Sequence, residues 1–190
     1  KRMNADSKNK VVINSGRDHQ ILDKWFEGLE LDFAAEHGMF YKENNTWHKN
    51  IPEKIIWDEE ILNIIQHTID KTPRSFMEQK EASLVWHYRN VDVWLAELRS
   101  QQLVNALIGP CSRLNLQIVP GNKVVEIKPP EFTKGSEVLR RMDKQNYDFV
   151  LAIGDDTTDE DMFRVLPPDG VSIKVGNFSQ AAKYRIPLQS

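Results

Sequence analysis

The chain has one cysteine, Cys111, so no internal disulfide can form, and that is compatible with a reducing compartment. Cys111 follows Pro110 after a helix-like run. With no helix start or base beside it to activate the thiol, it reads as structural and not as a nucleophile. No run of about 18 apolar residues occurs, so no membrane-spanning helix is expected. Residues 1–10 are polar and lack the apolar stretch of a secretory leader. With the lone thiol, this makes a cytoplasmic location the expectation. A large excess of either charge is lacking as well, with 25 Lys and Arg against 28 Asp and Glu. A formal net charge of -3 gives no electrostatic case for nucleic acid or an anionic membrane, so a phosphorylated ligand would need locally placed cations. What remains is ordinary globular composition, with 40% hydrophobic and 28% charged residues over 190, enough for one large domain or two small ones.

The most informative stretch is Gly154 to Phe163, GDDTTDEDMF. The run before it, Phe149 to Ile153, is apolar and partly β-branched, as a buried strand is. Asp155 and Asp156 therefore fall where a strand ends, at the edge where open α/β sheets bind ligands. Two adjacent carboxylates repel unless a cation joins them, and hard oxygen donors suit Mg²⁺. Thr157 with Glu160 and Thr158 with Asp161 both fit a capping box, so Asp159 to Asp161 are expected mostly to cap and charge a helix start, with a metal role for Asp159 left open. Two further places point to an anion. Ser15-Gly16-Arg17 follows the short apolar strand Val11 to Ile13 and precedes a helix expected over Asp18 to Gly28, a natural phosphate cradle; the alternative is that Ser15 caps that helix and Arg17 is solvated. Lys134 opens the helix expected over Thr133 to Lys144, where the helix dipole disfavours a cation unless an anion lies near. Together, a hydroxyl, a lysine and paired aspartates at one sheet edge would hold a phosphoryl group and its Mg²⁺.

Between these segments the pattern changes. The polar stretch Lys42 to Lys54 is expected to be a loop or hairpin. Helix, strand, strand then occurs twice: Glu59 to Ile69, Ser75 to Gln79 and Ser83 to Tyr88, followed by Val91 to Ile108, Leu114 to Val119 and Lys123 to Ile127. This predicts four strands under two helices. Lys128-Pro129-Pro130 reads as a linker. The expected architecture is an α/β core from 1–40 and 128–190, sharing one parallel sheet, with 41–127 inserted as an α+β cap.

The segments VVINSGR, AAEHGMF, MEQKEASLVWHYR, GNKVVEIK, TKG and GDDTTDEDMF, in this order over nearly the whole chain, resemble trehalose-6-phosphate phosphatases of the haloacid-dehalogenase superfamily. The resemblance implies a Rossmann-like core with an inserted cap, and Mg²⁺-dependent hydrolysis of trehalose 6-phosphate to trehalose and phosphate. It implies catalytic roles for Ser15, which binds phosphate, and Lys134, which steadies the phosphoryl group. It makes Asp155 a metal ligand, with Asp156 supporting the site. Glu78, Lys80 and Glu126 would grip sugar hydroxyls; Arg17, His37 and Lys123 are further candidate substrate contacts. His37 is as well explained as a structural residue bonded to backbone. Glu78 and Lys80 are two apart, hence on one face of a strand, where a solvated ion pair is the plain alternative. Many relatives are fused to a trehalose-6-phosphate synthase domain, so such a domain or partner is expected.

One departure matters. The family's nucleophile lies in a DxDGT-type motif on an N-terminal strand, and no such motif occurs in these 190 residues. The central strand is therefore expected to be missing from the sheet, and the fragment alone is expected to be inactive. The internal motifs are intact while both ends fall short of the family's pattern, which favours truncation. The alternatives are a non-catalytic module that binds sugar phosphate and regulates a synthase, and a related sugar phosphatase of the same superfamily.

Overall fold

The computed structural model describes residues 5–51, 55–176 and 178–188; the outermost residues of the expected core and the end of the expected 42–54 loop lie outside them. The chain divides into two compact units, 1–50 with 131–190, and 51–130.

In the first unit, β1 (Val12–Asn14), α1 (His19–Trp25) and β2 (Asp32–Ala35) form a β–α–β turn, with β1 and β2 parallel. The helix starts at Asp18, whose Oδ1 accepts the N–H groups of Gln20 and Ile21. The hairpin of β3 (Phe40–Glu43) and β4 (Thr46–Lys49) extends this sheet antiparallel to β2. Its turn residues Asn44 and Asn45 both have positive φ, 50° and 62°, as a tight right-twisted hairpin demands. This pairing moves the expected start of the insert from 41 to 51, because the hairpin's ladder belongs to β2.

After the insert come α4 (Lys134–Lys144), β9 (Leu151–Gly154), α5 (Asp159–Arg164), β10 (Val171–Val175) and β11 (Tyr184–Ile186). The three strands form a parallel sheet of order β11-β10-β9. Ala152, Met162 and Phe163 pack there with Val138 and Leu166. The expected incomplete sheet is present in two pieces: among the described residues no ladder joins β1 to β9. A cavity of about 170 Å³ is lined by Val12 and Asn14 of β1, Val138 and Met142 of α4, and Leu151 and Ala152 of β9. Backbone donors and acceptors facing such a gap are the kind of edge that takes up a further strand.

The second unit carries α2 (Glu59–Asp70), β5 (Phe76–Gln79), β6 (Leu84–His87), α3 (Val93–Arg113), β7 (Gln117–Gly121) and β8 (Val124–Lys128). The antiparallel sheet has order β5-β6-β8-β7. One face packs Leu84, Trp86, Val125 and Ile127 against Ile61 and Ile65 of α2 and Leu103, Leu107 and Cys111 of α3. α3 runs five residues beyond the expected Ile108, because the spacing Leu103, Leu107, Cys111 keeps one apolar face in register. Pro110 forgoes one helical hydrogen bond there. Burial pushes the Cys111 thiol up to about 11, in line with a structural residue. No helix of the described residues is long and apolar enough to cross a membrane.

Candidate active site

Four side chains tie the expected phosphate and metal segments into one bonded path within the first unit. Asn14, the last residue of β1, donates from Nδ2 to the Lys134 carbonyl at 3.0 Å. Lys134 opens α4 behind a Thr133–Ser136 capping box, and its Nζ reaches Asp159 Oδ1 at 2.6 Å. The other Asp159 oxygen accepts the Asp156 N–H at 2.8 Å. Lys174 of β10 donates to the Asp156 carbonyl at 2.7 Å. The ends of β1, α4, β9 and β10 are thereby joined. Two glycines make room for it: a Cβ on Gly154 would overlap the Asp159 carboxyl, and one on Gly135 would stand 2.6 Å from the Asp161 carbonyl oxygen.

Lys134 does have its anion, as its place at a helix start required, and that anion is Asp159. The assignment of Asp159 to Asp161 to capping is corrected. Thr158 makes no side-chain cap, and neither expected capping box forms. Asp159 is committed to Lys134 and the Asp156 amide, and Asp161 pairs with Arg164 at 3.3 Å. Glu160 accepts from Ser179 Oγ and from the amides of Gln180 and Ala181.

Burial alone would raise the Glu160 pKa, but those three hydrogen bonds and nearby Lys174 outweigh it and hold it below the usual 4.5. A lowered folded pKa contributes stability that is fully present above 4.5 and is lost as pH falls through the folded value. Acid unfolding followed by tryptophan fluorescence should therefore show stability declining below about pH 4.5, with a shallower decline in Glu160→Gln. An equal slope in both proteins would remove Glu160 from the account.

Asp155 and Asp156 are exposed at the end of β9. Asp156 Oδ1 accepts the Thr157 N–H at 2.7 Å. The exposed carboxylates of Asp155 and Asp156 are hard oxygen donors that suit a largely hydrated Mg²⁺. Ser15 Oγ accepts the Arg17 N–H at 3.2 Å, closing the turn after β1; Asp18, not Ser15, caps α1. The Arg17 guanidinium lies 4.6 Å from the centre of the Trp25 ring. His37 is buried in a one-turn 3-10 segment, Glu36–Gly38, that follows β2.

In the second unit, the sheet face away from the helices carries the expected sugar contacts. Glu78 pairs with Val85, and Val85 with Glu126, so both carboxylates stand in one row two strands apart, roughly 10 Å at ordinary strand spacing. His87 Nε2 lies 2.8 Å from Glu78 Oε2, and its ring stacks on Phe76. Lys80 sits just past β5, its N–H bonded to the Ser83 carbonyl. Lys123 occupies the β7–β8 turn with φ 65°.

Asn14 and Lys174 are members of the bonded path that the sequence did not single out, and Asp159, whose role was left open, joins them. The available signal was Lys174, a lysine at a buried position of an otherwise apolar strand, VSIKV.

The fold is the α/β fold of the haloacid-dehalogenase type. The family model for trehalose-phosphatase matches residues 1–188. The chain is 36% identical to an alpha,alpha-trehalose-phosphate synthase [UDP-forming] B of Dictyostelium discoideum, over 100% of this chain and 25% of that protein. It is 34% identical to a trehalose-phosphatase of Saccharomyces cerevisiae, over 85% of this chain and 21% of that protein. Among solved structures, the C-terminal domain of a C. albicans trehalose-6-phosphate phosphatase superposes with a TM-score of 0.86 at 27% identity, over 97% of this chain and 76% of that one. The chain belongs to the trehalose-phosphatase family, and it spans about a quarter or less of the length of these curated relatives.

Proposed function

We propose that these residues supply the phosphate-holding, metal-holding and sugar-holding parts of a cytoplasmic Mg²⁺-dependent phosphatase that hydrolyses trehalose 6-phosphate to trehalose and phosphate. The observation that carries the reading is the bonded path from Asn14 through Lys134 and Asp159 to Asp156. The Ser15 hydroxyl donates to a phosphoryl oxygen. Lys134 balances the phosphoryl charge, its ammonium held in place by Asp159. Asp155, with Asp156, holds Mg²⁺, which when bound supplies charge neutralisation at the phosphoryl group. Glu78, Lys80 and Glu126 take the sugar hydroxyls, and Arg17 and Lys123 are further candidate substrate contacts. The phosphoryl group passes to an aspartate carboxylate from outside these 190 residues, forming an aspartyl-phosphate, and water then breaks that bond. A synthase domain, on the same or a partner chain, supplies the substrate.

The test is phosphate release by the longer protein from trehalose 6-phosphate, sucrose 6-phosphate and mannose phosphates. Preference for trehalose 6-phosphate is expected, with loss of about 100-fold or more in Asp155→Ala and a weakening of about 1.5–3 kcal/mol in substrate affinity in Glu126→Ala. The 190 residues alone are expected to release none. Equal use of all three substrates would sink the substrate assignment. A second reading, a non-catalytic module that regulates a synthase, is favoured by the synthase name of the Dictyostelium relative; binding of trehalose 6-phosphate without turnover by the longer protein would establish it instead.

A further inference from the structure

We infer that His37 is a positioning residue: its ring is the floor on which the phosphate turn Ser15-Gly16-Arg17 rests, and it reaches the substrate only through that turn. The inference builds on the phosphatase reading above. Four observations carry it. First, the segment after β2 adopts three successive left-handed conformations, Glu36 at φ 47°, His37 at φ 61° and Gly38 at φ 98°. For Glu36 and His37 these are costly conformations, and they persist only where surrounding structure imposes them. Second, the segment is bonded to the phosphate turn by backbone. Ser15 N–H donates to the Ala34 carbonyl at 2.9 Å, Glu36 N–H to the Arg17 carbonyl at 3.0 Å, and His37 N–H to the Ser15 carbonyl at 3.0 Å. Third, the His37 ring lies directly against Gly16. A Cβ added to Gly16 would stand 2.6 Å from His37 Nε2 and 2.8 Å from Cε1. Fourth, the opposite side of the same segment lies on α4: a Cβ on Gly38 would be 3.2 Å from Glu137 Cβ, one turn after Lys134.

The strained segment is therefore a spacer between the turn that carries Ser15 and the helix that carries Lys134. At 5% exposure, His37 has little surface left for a sugar. Its bulk, at a position where backbone φ is unfavourable for most residues, sets the height of Gly16 and hence where the Ser15 hydroxyl, held by the Arg17 amide, is placed. Glycine at position 16 and histidine at position 37 form a matched pair.

The experiment compares wild type, Gly16→Ala, His37→Ala and the double variant in the longer protein. It reads kcat and KM for trehalose 6-phosphate and inhibition constants for inorganic phosphate and for trehalose. Gly16→Ala is expected to lose about 100-fold in kcat/KM, as a displacement near 1 Å does. His37→Ala is expected to weaken inhibition by inorganic phosphate about tenfold and to leave inhibition by trehalose unchanged. The double variant, with room restored beneath residue 16, should exceed the additive expectation by about tenfold. Additive losses, or a His37→Ala effect confined to trehalose, would overturn the proposal and make His37 a sugar contact. His37→Asn, which tolerates the left-handed conformation but lacks the ring's bulk, should behave as His37→Ala; wild-type behaviour in it would also overturn the proposal. Thermal unfolding of wild type and the same three variants of the longer protein reads the steric pairing with no need of turnover. There, rescue of Gly16→Ala by His37→Ala is expected even if the substrate assignment fails, and its absence counts against the pairing.

Discussion

Asp159→Ala is expected to lower the unfolding free energy by about 3–5 kcal/mol, the cost of removing one partner from a buried ion pair. The side chains of Lys134 and Asp159 are 10% and 5% exposed and meet at 2.6 Å. Bringing both charges out of water is costly, and their mutual attraction offsets that only while both are present. The alanine leaves the Lys134 ammonium in a site that water reaches poorly, and it also leaves the Asp156 amide without its acceptor. Desolvation of the stranded charge, not loss of an attraction, is thus the larger effect. It follows that Lys134→Met combined with Asp159→Leu should recover most of the loss, although neither change alone does. Urea unfolding of the four proteins decides this. A single-variant loss below about 1 kcal/mol, the range of exposed pairs, would mean the pair behaves as a surface contact.

The same pair marks where the sequence stopped being readable. Asp155 and Asp156 at a strand end followed from local chemistry, an apolar run into Gly154. Asp159 sits in an equally local pattern of threonines and acids, and that pattern pointed to helix capping. Its actual partner is 25 residues upstream, and no periodicity carries such a distance. Glu160 was opaque for the same reason, since its donors at Ser179, Gln180 and Ala181 lie in an irregular segment. In the second unit, strand parity and turn chemistry predicted the two helices and four strands of the sheet. They could not say that Val85 stands between Glu78 and Glu126, because that depends on β6 lying between β5 and β8. The boundary at 41 failed because a hairpin's pattern reveals a hairpin and not the strand it joins. The antiparallel pairing of that hairpin with β2 was hidden for the same reason: the strands were legible, but which edges pair was not.

Glu137→Ala is expected to cost about 3–4 kcal/mol, though Glu137 touches neither Ser15 nor the aspartates. Its carboxylate, 1% exposed, accepts two hydrogen bonds from Arg140 and one from Arg141, at 2.6 to 2.8 Å. These guanidiniums are also held from the other sheet: Arg141 by Asp32 at 2.8 Å and the Phe33 carbonyl at 3.1 Å, Arg140 by Glu43 at 3.0 Å. Burial alone would lower the Arg140 pKa, but Glu137 and Glu43 outweigh it and raise it, so Arg140 stays charged. The alternative anions keep the loss from exceeding that of a fully stranded pair. The buried, bidentate geometry keeps it well above a surface ion pair. Glu137→Gln, which keeps one acceptor and the shape, should lose about half as much. A double-mutant cycle with Arg141→Ala, read by urea unfolding, should return a coupling of about 1–3 kcal/mol, and a coupling near zero would leave the network without energetic content.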